Sequence, residues 1–397
     1  MTAEALSPPR TIVGPREWLQ RNLFSSLSSS IVTGVVAGLL LVVAITLTEW
    51  ALTQARWDVV TRNMRLLLIG QYPADQAWRI WLSLLLLSGL TGLSAASFGR
   101  TTRTLAIALS AFNLMLGAFV ALSPLGVIPA LGLLLNAALV WVGLLSARRL
   151  PVPRRALVVA WVASLPVTWL LLNGVAGSPL PLVSSHLWGG LLLTILLAAV
   201  GIIISFPLGV LLALGRRSSM PAVRVVSTAY IELIRAVPLV TILFMADIML
   251  PFFLPGEVRI ERVTRAMGGF ALFTAAYVAE NVRGGLQAIP SGQVEAAHAL
   301  GLSTVHTNLF IVLPQALRSV IPANVGLFIS LLKDTTLVSI IGLAELLGIG
   351  QAILAQPQSL GAHLEVFAFA GVIFFVLCYA MSQASYRLER ELGVGTR

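Results

Sequence analysis

Apolar runs of about twenty residues, the length that crosses the hydrocarbon core of a bilayer, recur along almost the whole chain. They lie near 30–49, 80–98, 104–122, 126–146 and 156–174, and again near 188–214, 230–254, 267–288, 312–332 and 364–386. Backbone polar groups inside a bilayer must find partners within the protein, so runs of this length predict α-helices. The sequence therefore predicts an all-α polytopic membrane protein with about ten transmembrane helices.

Composition excludes an ordinary soluble protein. Hydrophobic residues make up 57% of the chain and charged residues 11%, and the mean hydropathy is +0.92. The formal charge of +10 would fit nucleic-acid binding, but the arginines cluster at the ends of the apolar runs, where they orient helices in a membrane. Cys378 is the only cysteine and lies in an apolar run, so no intrachain disulfide can form.

The arginines also predict the orientation of the chain. They are concentrated in alternate segments, beginning with the polar tail 1–29 and continuing through the loops at 99–103 and 148–155. By the positive-inside rule these segments are cytoplasmic, which predicts that both termini lie in the cytoplasm. No cleavage site precedes the first apolar run, so we interpret this run as an uncleaved signal-anchor.

A change in composition divides the predicted spans into two blocks. Residues 175–187 are rich in Gly, Pro and Ser. An N-terminal accessory block at 30–180 precedes them, with almost no charge inside its five predicted spans, and a second block covers 187–390. The low intramembrane charge indicates a lipid-facing or packing role for the first block. A Gly-rich stretch at 336–350 is interpreted as a re-entrant or surface helix rather than a span.

A short amphipathic segment at 290–314, called the elbow below, interrupts the apolar pattern. Ser291 is predicted to cap a short helix, with Glu295 close enough to its positive end to be favoured by the dipole. Gly301 can take the left-handed conformation that ends this helix, and Ser303 or Thr304 can cap a second helix. The result is two short helices joined by a sharp turn, which suits docking into the groove of a partner.

Four separated motifs in the same order resemble the polar amino acid permeases of bacterial ABC importers, of the general L-amino acid or glutamate/glutamine type with an extended N-terminal region. The elbow has the pattern of their cytoplasmic coupling loop, which is Glu-Ala-Ala, three residues, Gly, nine residues and Ile-x-Leu-Pro. The other motifs are RAVPLV at 235–240, AAYVAENVRGGLQAIPSGQ at 275–293 and KDTTLVSIIG at 333–342. The resemblance covers roughly residues 187–390.

The resemblance implies a type I transmembrane core of five helices, here preceded by a five-helix extension, in the permease subunit of an importer that takes up amino acids across the bacterial inner membrane. It implies two ATPase subunits docked on the elbows, a periplasmic amino-acid-binding protein and a second permease subunit. Because of the long N-terminal block, this second permease is expected to be a different chain. ATP and Mg would be held by the ATPase, because this chain has no phosphate-binding loop. No cofactor, metal site or catalytic residue is predicted here.

By the same resemblance, the ATPase-coupling residues are Glu295, Ala296, Ala297 and Gly301. The two alanines stay small so that the elbow can seat in the ATPase cleft, and Gly301 makes the turn. The alternative is an ion-coupled secondary transporter, which predicts buried carboxylates near the midplane of inverted repeats. The two halves show no such symmetry, and no convergent polar site of a membrane enzyme is visible.

Charged residues within the predicted spans are candidates for the substrate path, because such residues are costly in a bilayer. Glu232 and Arg235 are three residues apart, as are Glu280 and Arg283, so each pair can share one helix face. Two interpretations remain open for them. They form structural pairs near the membrane boundary, or they contact the charged ends of an amino acid.

Lys333, the only lysine, and Asp334 are adjacent, so on a helix they point about 100° apart and cannot pair closely. They are interpreted either as an anchor at the outer boundary or as part of the translocation path. Asp247 is expected to stand alone and solvated, and Pro207 and Pro238 are expected to kink their helices.

Overall fold

The structure, a computed structural model, describes residues 14–149, 152–256 and 258–393. Within these ranges the regular elements are helices, apart from two isolated β-bridges, which confirms the predicted all-α class. The chain divides into one unit that ends at Arg56 and a larger unit that begins at Trp57. Residues 1–13 of the predicted tail lie outside the described part of the chain.

The first unit contains helices α1 (Pro15–Asn22) and α2 (Leu27–Glu49), followed by a π-helical turn at Trp50–Gln54. Ser26 caps α2, where its hydroxyl accepts a hydrogen bond from the Ser29 amide at 3.2 Å. Together α2 and the π turn form a 28-residue apolar segment with no buried side chain in its apolar window. An apolar helix of this length fits the span predicted at 30–49.

The second unit begins with two short helices and continues with long helices joined by short turns. Its helices are α3 (Trp57–Arg62), α4 (Met64–Ile69), α5 (Trp78–Ser97), α6 (Arg100–Ala121), α7 (Val127–Arg149), α8 (Arg154–Asn173), α9 (Gly190–Arg216), α10 (Pro221–Ala236), α11 (Leu239–Phe244), α12 (Leu250–Phe253), α13 (Arg262–Gln287), α14 (Ser291–Ala299), α15 (Thr304–His306), α16 (Leu313–Asp334), α17 (Leu346–Leu354) and α18 (His363–Leu392). π-helical turns at Met245–Met249 and Thr307–Val312 join α11 to α12 and α15 to α16, and a 3₁₀ helix at Thr335–Ile341 follows α16.

Every predicted span corresponds to helix in the described residues, but the number that qualifies by length and composition is lower than ten. Among the residues that the structure describes, eight helical segments are long and apolar enough to cross a membrane, or nine if the bent pair α10 and α11–α12 counts as one span. The remaining predicted span is α13, which has 26 residues but is more polar. Helix α17 begins inside the stretch 336–350, which was interpreted as a re-entrant or surface helix. It has only 9 residues and cannot cross a bilayer.

The run predicted as a single span at 230–254 is broken. Helices α10 and α11 meet at an angle of 107°. Val237 takes an extended conformation, as expected before Pro238, whose ring disfavours helical geometry in the preceding residue. The kink predicted at Pro238 is therefore present as a sharp bend, whereas Pro207 lies inside α9, which continues through it.

Small residues bring α9 and α13 close together in the second half of the chain. A Cβ atom at Gly209 would lie 2.5 Å from the Val278 Cβ atom and 2.8 Å from the Ala275 carbonyl oxygen, so only glycine fits there. Eight residues earlier on both helices, a Cβ atom at Gly201 would lie 3.4 Å from the Phe270 Cβ atom. The two helices therefore run parallel, and close backbone approach of this kind favours helix association in membranes.

The segment between residues 57 and 180 packs directly on the second half. Val60, Met64 and Phe112 share one hydrophobic cluster with Leu346 and Phe369 from α17 and α18. The amide and hydroxyl of Thr101, at the start of α6, donate hydrogen bonds to the Glu391 carboxylate near the end of α18, each at 2.9 Å. The division into blocks at 30–180 and 187–390 stays a prediction.

Candidate functional site

The turn of the elbow has the geometry that its glycine predicts. Gly301 has a φ angle of +79°. Its amide donates to the His298 carbonyl at 2.9 Å, and the Leu302 amide donates to the Ala297 carbonyl at 3.1 Å. These two bonds define a Schellman motif, in which a left-handed residue closes the helix and satisfies its last carbonyls. The helix α14 therefore ends at a fixed angle to the chain that follows.

The capping of the two elbow helices differs in part from the prediction. Pro290, not Ser291, occupies the N-cap position of α14, and no side chain caps this end. Glu295 is the fifth residue of α14 and so lies beyond the first turn. Ser303 caps α15, because its hydroxyl accepts from the His306 amide at 3.4 Å and contacts the His306 Nδ1 atom at 2.8 Å.

The elbow exposes apolar side chains that are not among the predicted coupling residues. Ala297, expected on the docking face, is 4% exposed and packs inward, whereas Glu295 and Ala296 are exposed. Leu300 is 83% exposed, and further exposed apolar side chains of the elbow are Val305, Leu309 and Phe310. These last three residues were not predicted, although Val305 and Leu309 are four residues apart, which is the spacing of a shared helix face.

Tight packing at the base of the elbow joins α13 to α16. A Cβ atom at Gly285 would lie 2.5 Å from the Val320 Cγ1 atom and 2.8 Å from the Ala316 carbonyl oxygen. One turn earlier on α13, the side-chain amide of Asn281 donates a hydrogen bond to the side-chain oxygen of Asn324 at 3.0 Å. The elbow is thus carried by two helices that are held together directly beneath it.

Four of the six substrate-path candidates belong to one ionic network, which we call the Glu280 cluster: Arg216, Glu232, Arg235, Glu280 and Arg283. The Glu280 carboxylate pairs with Arg283 on its own helix, with Arg216 at 3.4 Å and with Arg235 at 3.5 Å. Arg216, at the end of α9, also pairs with Glu232 at 2.8 Å. The cluster therefore joins α9, α10 and α13.

The predicted pairing is right for one pair and wrong for the other. Glu280 and Arg283 share a helix face and pair, as the spacing of three predicts. Glu232 pairs with Arg216 of α9, and Arg235 pairs with Glu280 of α13, rather than with each other. The reason is that partners on neighbouring helices lie closer than the residue one turn away. Arg216 was missed because it is 64 residues from Glu280.

Lys333 and Asp334, the other two path candidates, lie at the end of α16. Lys333 is exposed and Asp334 is half-buried. In the part of the chain that the structure describes, neither side chain forms an ion pair, which agrees with the prediction that adjacent residues cannot pair closely. The structure places them far along α16 from the elbow, at the opposite end of that helix.

The expectation that Asp247 stands alone and solvated is wrong. Its side chain is only 8% exposed and accepts hydrogen bonds from Arg262 at 3.0 and 2.8 Å. Arg265 pairs with the same carboxylate at 3.2 Å. Both arginines belong to the first turns of α13, so Asp247 ties the α11–α12 segment to the end of α13 opposite the elbow.

Glu261, the residue before α13, ties this same end to the segment that precedes α9. Its carboxylate accepts hydrogen bonds from the Ser184 hydroxyl at 3.2 Å and the Ser185 amide at 3.0 Å. Burial opposes ionisation, but these bonds outweigh it and hold the pKa of Glu261 below its ordinary value. A cavity of about 430 Å³ opens beside these residues, between them and Gly342–Ala344.

The lowered pKa of Glu261 predicts how its hydrogen bonds to Ser184 and Ser185 respond to acid. A carboxyl group whose pKa is lowered by folding stabilises the protein at pH values above its ordinary pKa of 4.5. This contribution is lost as the pH falls through the pKa of the folded state. We expect Glu261→Gln to lower the free energy of unfolding slightly at neutral pH, by less than about 1 kcal/mol, because residue 261 is largely exposed. The difference from the wild type should vanish at acidic pH, which thermal unfolding in detergent measures. A difference independent of pH would contradict the assignment.

Comparison with known proteins places this architecture among transport components. Residues 205–393 match the family described as binding-protein-dependent transport system inner membrane component. The chain is 37% identical over 395 residues to the inner membrane amino-acid ABC transporter permease protein YhdY of Escherichia coli strain K12, covering 95% of this chain and 93% of that protein.

Two further relatives differ in length. The chain is 37% identical over 431 residues to the glutamate/glutamine/aspartate/asparagine transport system permease protein BztC of Rhodobacter capsulatus, covering 98% of this chain and 97% of that protein. It is also 37% identical over 205 residues to the probable glutamine ABC transporter permease protein GlnP of Bacillus subtilis, covering 52% of this chain but 93% of that protein. The chain is therefore similar along its whole length to some relatives, and over about half of its length to shorter ones.

Proposed function

Because this chain belongs to the family of binding-protein-dependent transport system inner membrane components, we propose that it is the permease subunit of an ATP-binding-cassette importer that takes up polar amino acids. The names of its relatives support this substrate class, since BztC is a glutamate, glutamine, aspartate and asparagine permease and GlnP a probable glutamine permease. The spans place the chain in a membrane, and the bacterial inner membrane is the compartment in which such permeases work.

The exposed elbow is the observation that carries the proposal. Leu300, Val305, Leu309 and Phe310 are exposed apolar side chains of the elbow, which is carried by the closely packed helices α13 and α16. A helical elbow of this kind fits a groove on a soluble partner, into which the apolar side chains are buried. We assign this surface to the ATPase subunit. Glu295 and Ala296 lie exposed on the same element, and Gly301 sets its angle.

The complex would contain two ATPase subunits, a second permease that is a different chain, and a periplasmic binding protein that delivers the amino acid. ATP and Mg would bind to the ATPase. Both termini and the elbow would face the cytoplasm, as the arginine distribution favours. Closure of the ATPases on ATP would then move the elbows, and α13 and α16 would carry this motion into the membrane. The path candidates there are Glu232, Arg235, Glu280, Arg283, Lys333 and Asp334.

Purification of the tagged full chain from gently solubilised membranes tests the proposal. We expect an ATPase subunit and a second, different permease to be recovered with it. Reconstituted with the binding protein, the complex should hydrolyse ATP faster when the amino acid is present. Recovery of the chain alone, together with uptake driven by an ion gradient, would instead support a secondary transporter.

Substitution of Leu300 with aspartate tests the docking surface. A charge at the centre of an apolar interface cannot be desolvated without cost, so we expect recovery of the ATPase to fall by at least about tenfold. Leu360→Asp is the matched control, since Leu360 is also an exposed leucine but lies in the turn before α18, outside the elbow. Equal ATPase recovery with both variants would count against the elbow as the docking site.

A further inference from the structure

We propose that Glu280 is a positioning residue that latches α10 to α13, so that motion of the elbow is passed to the bent segment α10–α11. This inference rests on the proposed coupling function of the elbow. It assigns the Glu280 cluster a role in transmitting motion, whereas the sequence suggested only a structural pair or a substrate contact.

Glu280 lies among arginines of three helices. Its side chain is 22% exposed and pairs with arginines from three helices: Arg216 of α9, Arg235 of α10 and Arg283 of α13. Each of its two carboxylate oxygens is used, Oε1 by Arg283 and Oε2 by Arg216 and Arg235. A single carboxylate thus lies between three cations that would otherwise repel one another more strongly, and its removal affects all three helices at once.

Polar contacts extend from the Glu280 cluster towards the elbow. The Arg283 guanidinium donates to the Gln287 side-chain oxygen at 2.7 Å, and Gln287 is the last residue of α13. Arg217, next to Arg216, donates to the Leu286 carbonyl at 3.2 Å. The polar contacts therefore run from α10 to the residues immediately before Pro290, where the elbow begins.

Helix α10 packs on α9 and α13 through Ser227 and Ile231, but its last turn, next to the bend, has no buried side chain. Of its 16 residues only Ser227 and Ile231 are buried, and its exposed side chains include Leu233. Its remaining polar contacts to α13 are a hydrogen bond from the Tyr230 hydroxyl to the Leu272 carbonyl at 2.8 Å and the stacking of Arg235 on Tyr277 at 5.6 Å. Because the 107° bend at Pro238 follows directly, the cluster fixes α10 at its last turn, beside the point about which it would pivot.

Spin-label distances test the latch in the reconstituted complex. In a Cys378→Ser background, labels at Leu233→Cys on α10 and Phe375→Cys on α18 report the position of α10, since both side chains are exposed. We expect the distance to change when ATP binds under conditions that block hydrolysis. In Glu280→Gln, which keeps the shape and removes the charge, we expect this change to be lost while the ATPase remains bound.

Transport provides the second measurement. The amount of amino acid moved per ATP hydrolysed should fall at least about tenfold in Glu280→Gln, as expected when one partner of a partly buried charge pair is removed. Glu280→Asp, which retains the charge, should recover most of the loss. If the role of Glu280 were purely steric, Glu280→Asp would not transport better than Glu280→Gln. Should Glu280→Gln fail to assemble, Arg235→Gln removes only the direct link to α10 and should show a smaller loss of the same sign.

The control is Asp58→Asn, which removes the carboxylate of an exposed pair with Arg62 at 2.9 Å in α3 and should behave as the wild type. An unchanged distance response in Glu280→Gln would overturn the latch, as would a wild type that transports without any movement of α10. Absence of amino-acid-stimulated ATP hydrolysis in the wild type would instead refute the importer function itself. The two failures are therefore distinguishable.

Discussion

Replacing Gly301 with proline is expected to abolish uptake while the protein remains in the membrane. Gly301 has a φ angle of +79°, whereas the proline ring fixes φ near −65°. Proline also removes the amide that donates to the His298 carbonyl. The native turn should become less favourable by about 3 kcal/mol or more, which corresponds to roughly a hundredfold loss in its population.

Alanine at the same position should give a graded result, because a left-handed alanine costs about 1–2 kcal/mol. Radiolabelled amino acid uptake in cells, normalised to the amount of permease in the membrane, measures both variants. Gly292→Ala is the matched control, since Gly292 lies in α14 and a Cβ atom there meets nothing within 4 Å. Normal uptake by Gly301→Pro, or equal loss in the Gly292 control, would contradict the role of this turn.

The turn at Gly301 was predictable because its determinants are local. A helix that ends in glycine and is followed by Ser303 encodes a C-cap and an N-cap within three residues, and the structure contains both. The spans were predictable for a similar reason, since about twenty apolar residues suffice to specify a helix in a bilayer. The N-cap of α14 was misassigned because proline and serine both suit a helix start, and only the backbone decides between them.

The ionic partners were not predictable, because they depend on which helices become neighbours. Glu232 and Arg235 have the spacing of a pair, yet each finds a closer partner on another helix. Asp247 was interpreted as solvated because its partners Arg262 and Arg265 follow only after the chain has turned back. An apolar sequence also does not reveal which of its faces packs, and so the contact between the first block and α17–α18 required the structure.

Replacing Gly285 with leucine is expected to prevent the base of the elbow from assembling. A Cβ atom alone would already lie 2.5 Å from Val320 and 2.8 Å from the backbone oxygen of Ala316. A rigid backbone oxygen cannot move aside like the end of a flexible side chain, so α13 and α16 would have to separate. Overpacking in a closely packed core costs about 1–3 kcal/mol, and separation would also break the Asn281–Asn324 hydrogen bond.

The neighbouring glycine isolates this steric effect from the change in helix propensity. A Cβ atom at Gly284 meets nothing within 4 Å, so Gly284→Ala should be neutral or should stabilise α13 by up to about 1 kcal/mol. Gly285→Ala gains the same propensity but meets Val320 and Ala316, so it should be destabilised relative to Gly284→Ala. The yield of monodisperse protein after solubilisation and its thermal midpoint measure the difference. If the two alanine variants were equally stable, α13 and α16 would not be in the close contact that carries the elbow, and motion at the elbow would have no rigid path into the membrane.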